Sequence, residues 1–157
     1  MLFLQFAAAV VISWLGLLAG FILATMTKEE LPTAKKYFPW LEKLVALAVA
    51  AFVMDFFSLS LVAKAAAYVV LLAFFIFSYN AKFVYAAFGA AVFAVSRNSS
   101  MLLITAALVF LFGLLSGSNS FKTNLRKRDM VKAAAKVLTD KLFYPAVAIM
   151  LFLAFSK

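Results

Sequence analysis

Six long apolar runs, separated by short polar breaks, divide the chain, and they predict membrane spans over about residues 2–26, 40–57, 61–79, 82–95, 101–117 and 142–156. The runs are continuous rather than alternating. That pattern fits helices surrounded by apolar matter and excludes a transmembrane barrel, whose strands would alternate. In the first connector Pro32 and Pro39 break helix continuity, and Thr27 with Glu30 has the spacing of a capping box for a short interfacial turn. Residues 58–60, 80–81 and 96–100 supply the next three breaks. The fourth and sixth runs are shorter than the roughly 20 residues that cross a bilayer core untilted. They are expected to extend into flanking polar residues or to sit in locally thinned lipid. A re-entrant hairpin made of the fourth and fifth runs is the alternative.

The last break, residues 118–141, is long and basic. From about Asp129 to Lys141 it predicts an amphipathic helix, with Asp129 as N-cap and Ala133, Ala134 and Ala135 as strong helix formers. Met130, Val131, Ala134, Val137, Leu138 and Leu142 make the apolar stripe, and Lys132 and Lys136, with Arg128 just before, flank it. Such a helix is too short and too charged to span, so it is expected in the headgroup plane. Arg126, Lys127, Arg128, Lys132 and Lys136 would then meet anionic lipid headgroups or an acidic partner; a solvated connector is the plainer alternative.

Composition changes the picture by fixing the solvent. Of 157 residues 68% are hydrophobic, and the mean hydropathy is +1.09. A water-soluble domain of this size could not hide so much apolar surface. The expected fold is an all-α integral membrane protein: one domain, a compact bundle of about six transmembrane helices plus a basic interfacial helix between the fifth and sixth. Fifteen bases against six acids give a net charge of +9. In a lipid setting this points to cytoplasmic loops and anionic headgroups, not to nucleic acid. With six spans, twelve bases fall on one side and only Lys64, Arg97 and Lys157 on the other, which places both termini on the non-cytoplasmic side. The first run has no basic region before it and no small-residue cleavage site after it, so it is expected as a retained helix.

The chain has neither cysteine nor histidine. Disulfides, thiolate chemistry and imidazole metal or haem ligation are thereby excluded, and no metal, cofactor or catalytic constellation is expected. Four of the five glycines form two G-x-x-x-G pairs, Gly16 with Gly20 and Gly113 with Gly117, which predict close helix packing inside the monomer or at an oligomer interface. The alanines at 86, 87, 90, 91 and 94 predict a close-packed central fourth helix. Asp55 reads as the only acid inside a span, the other five being assigned to loops. Ala48 and Ala51 share its face, so it is expected to point at a packed neighbour. With Lys64 it forms either a structural ion pair pinning a hairpin or a proton or cation site near an outer vestibule. The function expected first is therefore a non-enzymatic membrane subunit or scaffold with a membrane-protein partner or a second copy. A small transporter or channel using Asp55 and Lys64 is the alternative, and a lipid-modifying enzyme comes last for want of chemistry.

Overall fold

A computed structural model describes residues 3–27, 29–57, 60–77, 81–121 and 127–155, without the side chains of 71, 72, 74–77, 81, 82, 127 and 128. The protein is 89% helical and has no strand among the described residues. The helices are α1 (Phe3–Met26), α2 (Leu31–Ala34), α3 (Phe38–Phe56), α4 (Leu61–Phe77), α5 (Ala81–Ala94), α6 (Ser99–Ser120), α7 (Lys127–Asp140) and α8 (Phe143–Phe155). Three described stretches are long and apolar enough to cross a membrane: Phe3–Met26, Ser99–Ser120 and Asp129–Phe155. The third joins α7 to α8, because short backbone bonds from the Lys141 and Leu142 amides to the Leu138 and Thr139 carbonyls carry the chain through the turn. Helix α3 has span length but carries Glu42, Lys43 and Asp55.

Local chemistry explains the element starts. Pro32 and Pro39 do break the connector, but each does so by opening a helix, where its missing N–H costs nothing. Asn98 caps α6, its side-chain oxygen accepting from the amides of Ser100 and Met101. The capping box foreseen at Thr27 and Glu30 does not form. The Thr27 hydroxyl instead donates back to the Leu23 carbonyl at the end of α1. Asp129 is not an N-cap either: α7 starts two residues earlier, so Asp129 sits in its first turn, where a negative charge still suits the helix dipole.

The bundle is organised by glycine. Helices α1 and α6 pack along most of their length and run parallel. A Cβ added at Gly16 would strike the Phe110 carbonyl, and one added at Gly20 the Leu114 carbonyl. From the other side, Gly113 faces Gly16 and Leu17, and Gly117 faces Leu17 and Phe21. Helices α5 and α8 form a second parallel pair around the fifth glycine: a Cβ on Gly89 would lie 2.7 Å from the Tyr144 carbonyl oxygen and 3.1 Å from the Ala148 nitrogen. The two pairs are antiparallel to each other. Phe6 near the start of α1 stacks on Phe152 near the end of α8 at 4.5 Å, while Ser13 and Tyr144, further along α1 and earlier in α8, share a 2.5 Å hydrogen bond. Lipid gives helices no hydrophobic reason to associate, so close backbone approach and interhelical hydrogen bonds carry the association.

The main core draws on α1, α3, α5, α6 and α8. Helix α5 was expected to be close-packed and central along its alanine ribbon, but of those alanines only Ala91 packs against the core among the described residues. Val84, Tyr85, Phe88, Gly89 and Val92 face inward, while Ala87 and Ala90 are exposed. The larger side chains fill the core and Gly89 provides the close approach. The expected stripe of α7 also shifts. Met130, Ala133, Ala134 and Val137 cover a second small core of Phe21, Ala24, Leu31 and Phe121, so this face meets protein rather than lipid. Val131 falls off that face and is 76% exposed, as the 3.6-residue period requires.

Candidate functional site

The polar groups drawn deepest into the bundle gather where α6 ends and α3 and α5 begin. Glu42, in the second turn of α3, is only 5% exposed. This corrects the reading that Asp55 is the only acid within a span: Glu42 lies inside the 40–57 run itself, and the helical period of α3 turns it inward beside Ala46 and Val49. The Asn119 amide nitrogen lies 3.3 Å from a Glu42 carboxylate oxygen and donates to it. Tyr85 of α5 is buried against the same region, its ring 5.3 Å from Phe112 and 4.8 Å from the Lys141 ammonium. Its hydroxyl lies toward Ser116 and within electrostatic reach of Glu42. It makes no hydrogen bond of ordinary geometry among the described residues.

Hydroxyl and amide groups elsewhere tie the same end together. Ser118 donates to the Gly20 carbonyl at 2.8 Å, which joins the ends of α1 and α6. Lys35, after α2, donates to the Phe121 carbonyl at 2.5 Å and so satisfies the chain as it leaves α6. The buried Trp14 indole nitrogen and the Thr105 hydroxyl have no hydrogen-bond partner among the described residues. Buried polar atoms of this kind cost free energy, and they mark where the interior is least settled.

Asp55 and Lys64 lie at the opposite end of α3, apart from this cluster. They form an ion pair across the hairpin to α4, the Lys64 ammonium donating to an Asp55 carboxylate oxygen. Asp55 does not point at a packed neighbour: its side chain is 70% exposed and Ala48 on its face is exposed too. Nine residues after the buried Ala46, Asp55 falls on the opposite side of α3. In a double-mutant cycle of Asp55→Ala and Lys64→Ala, thermal unfolding in detergent is expected to show a coupling below about 1 kcal/mol. A coupling of several kcal/mol would show a desolvated pair and overturn the surface placement.

Gly16, Gly20, Gly113 and Gly117 are brought together in the one α1–α6 seam. Of the five bases read as lipid or partner contacts, Lys132 and Lys136 are exposed on the outer face of α7. Arg126 lies outside the described residues, as do the side chains of Lys127 and Arg128. Among the described residues there is no group of three acidic side chains able to hold a metal ion. Sequence reasoning missed Glu42, Asn119, Tyr85 and Ser116 as a set. Glu42 carried the usable signal, being an acid three residues after the Pro39 that opens a helix; the others are uncharged and look like ordinary span residues.

No protein-family model, no curated protein and no solved structure matches this chain significantly.

Proposed function

We propose that the chain is a non-enzymatic membrane subunit of six spans, a helical scaffold that packs against another membrane protein or a second copy. The observation that carries this reading is α4. Apart from Lys64 and Tyr68 it is apolar, and among the described residues it contacts the rest of the bundle little and contributes no buried side chain. Leu61, Val62, Val69 and Val70 are all at least 66% exposed. Apolar exposure alone is ordinary in lipid. A span held so lightly by its own chain is a natural seat for a partner helix.

Helix directions support six spans. Six consecutive crossings require the first and fifth spans to run one way and the fourth and sixth the other. This is how α1, α6, α5 and α8 are paired. With the charge asymmetry of the loops, the proposal puts both termini on the non-cytoplasmic side. The chain has no cysteine, so single introduced cysteines report cleanly. Ser60→Cys and Arg97→Cys are expected to react with an impermeant maleimide on intact cells, and Glu29→Cys and Lys136→Cys only after lysis. Labelling of Arg97→Cys and Lys136→Cys from one side would overturn the span count.

The scaffold reading is tested by cross-linking through Val69→Cys in the native membrane and weighing the product. A stoichiometric complex with one membrane protein, or a dimer, is expected. A second reading, a small transporter or channel, draws on Glu42, buried and within electrostatic reach of the Tyr85 hydroxyl, rather than on the surface pair Asp55 and Lys64. Proton or sodium flux into proteoliposomes, lost in Glu42→Gln with the fold intact, would replace the scaffold.

A further inference from the structure

Helices α3, α4 and α5 part to leave a cleft of ≈ 450 Å³. Ala46, Ala50 and Val53 line it from α3, Ala67 from α4, and Phe83 and Ala87 from α5; among the described residues every side chain that lines it is apolar. The alanines leave the width, and exposed Phe83 and Ala87 open it to the surroundings of the bundle. The volume lies within the range of about 300–1,000 Å³ in which pockets enclose small ligands. At ≈ 450 Å³ it is too small to take in a further helix, which measures about 10–12 Å across with its side chains. A single flexible hydrocarbon chain fits.

One end of the cleft is basic. Lys43 sits one helical turn before Ala46 and two before Ala50, on the face of α3 that lines the cleft. Its ammonium is 5.3 Å from the ring centroid of Trp40, which is 70% exposed. Tyr85 is flanked in α5 by the cleft residues Val84 and Phe88, and it brings Lys141 to the same end. Against these two bases the described residues set one acid at this end, Glu42, whose carboxylate accepts from Asn119 of α6. A lysine beside an exposed tryptophan is the pairing found at headgroup depth, where the ring is half apolar and half wet. We propose that the cleft holds one acyl chain of an anionic membrane lipid, with the lipid phosphate at Lys43. This goes beyond the scaffold reading and does not require it.

The test uses the full chain in nanodiscs of equal parts phosphatidylglycerol and phosphatidylcholine, released into the gas phase for native mass spectrometry. One phosphatidylglycerol per chain is expected to stay bound. Ala50→Phe and Ala87→Phe fill the cleft and should lose it, while Lys43→Gln should weaken retention about fivefold, the effect of one lysine at an anionic surface, and Lys43→Arg should preserve it. Ala87 is exposed, so Ala87→Phe is expected to keep wild-type helicity. If a filling variant fails to fold, the contrast between Lys43→Gln and Lys43→Arg decides. Equal retention of phosphatidylcholine, no retained lipid, or a peptide mass in place of a lipid would each overturn the proposal.

Discussion

Gly20→Leu is expected to separate α1 from α6 and to lower unfolding stability in detergent by about 3 kcal/mol or more. A side chain there has nowhere to go. Its first carbon would collide with the Leu114 carbonyl, which is backbone held in the middle of a helix. Overpacking a core normally costs about 1–3 kcal/mol because side chains can shift; a backbone obstacle forces the helix axes apart. Gly117→Leu meets the Leu17 carbonyl and is expected to match it. Gly113→Ala is the graded control: its Cβ would lie 3.0 Å from the Leu17 nitrogen, a tight fit that a small displacement relieves. The expected order of melting temperatures is wild type, then Gly113→Ala, then Gly20→Leu. Wild-type melting of Gly20→Leu would remove the seam from the structure.

The second large effect is expected at Phe112. It is fully buried, with ring centroids 5.3 Å from Tyr85 and 4.8 Å from Phe88, both nearly edge-on. In water Phe→Ala loses both transfer energy and packing. Here the transfer part falls away, because lipid tails are as apolar as the core. What remains is the cavity, roughly 2–3 kcal/mol at about 24 cal/mol per Å³ of space left unfilled. Leu103, on the same helix but 70% exposed, loses neither part, and Leu103→Ala is expected to melt like the wild type. Equal destabilisation by the two substitutions, read by thermal unfolding in one detergent, would contradict the assignment of inner and outer faces.

Much of the helical layout was legible because a continuous apolar run has few other forms in lipid. The boundaries in the sequence fell within a few residues of α1, α3, α4, α5 and α8, and α6 ran three residues further, through Ser118 to Ser120. Faces were less legible than lengths. On an apolar helix nearly every residue suits either lipid or protein, so period alone did not separate the Val84–Phe88–Val92 face of α5 from its alanines. Gly89 was passed over because it has no partner glycine four residues away, yet its close approach is to backbone on α8, which no motif within α5 encodes. Glu42 was passed over although it lies inside the 40–57 run: two residues from its start and next to Lys43, an acid reads as part of the polar connector. Asp55 was over-read because the alanines on its face were taken for a packing surface, whereas Ala48 is exposed.

The parallel seam also sets a schedule for synthesis. The segment that holds Gly16 is made about 90 residues before Phe110, the residue it rests against. At roughly 5–20 residues per second, α1 waits on the order of five to twenty seconds with its glycine groove bare while the helices between are made. During that interval any newly inserted helix with a small-residue face competes for the groove, including α1 of a chain on the next ribosome. The α1–α6 contact, which closes late, is therefore the step most exposed to misassembly.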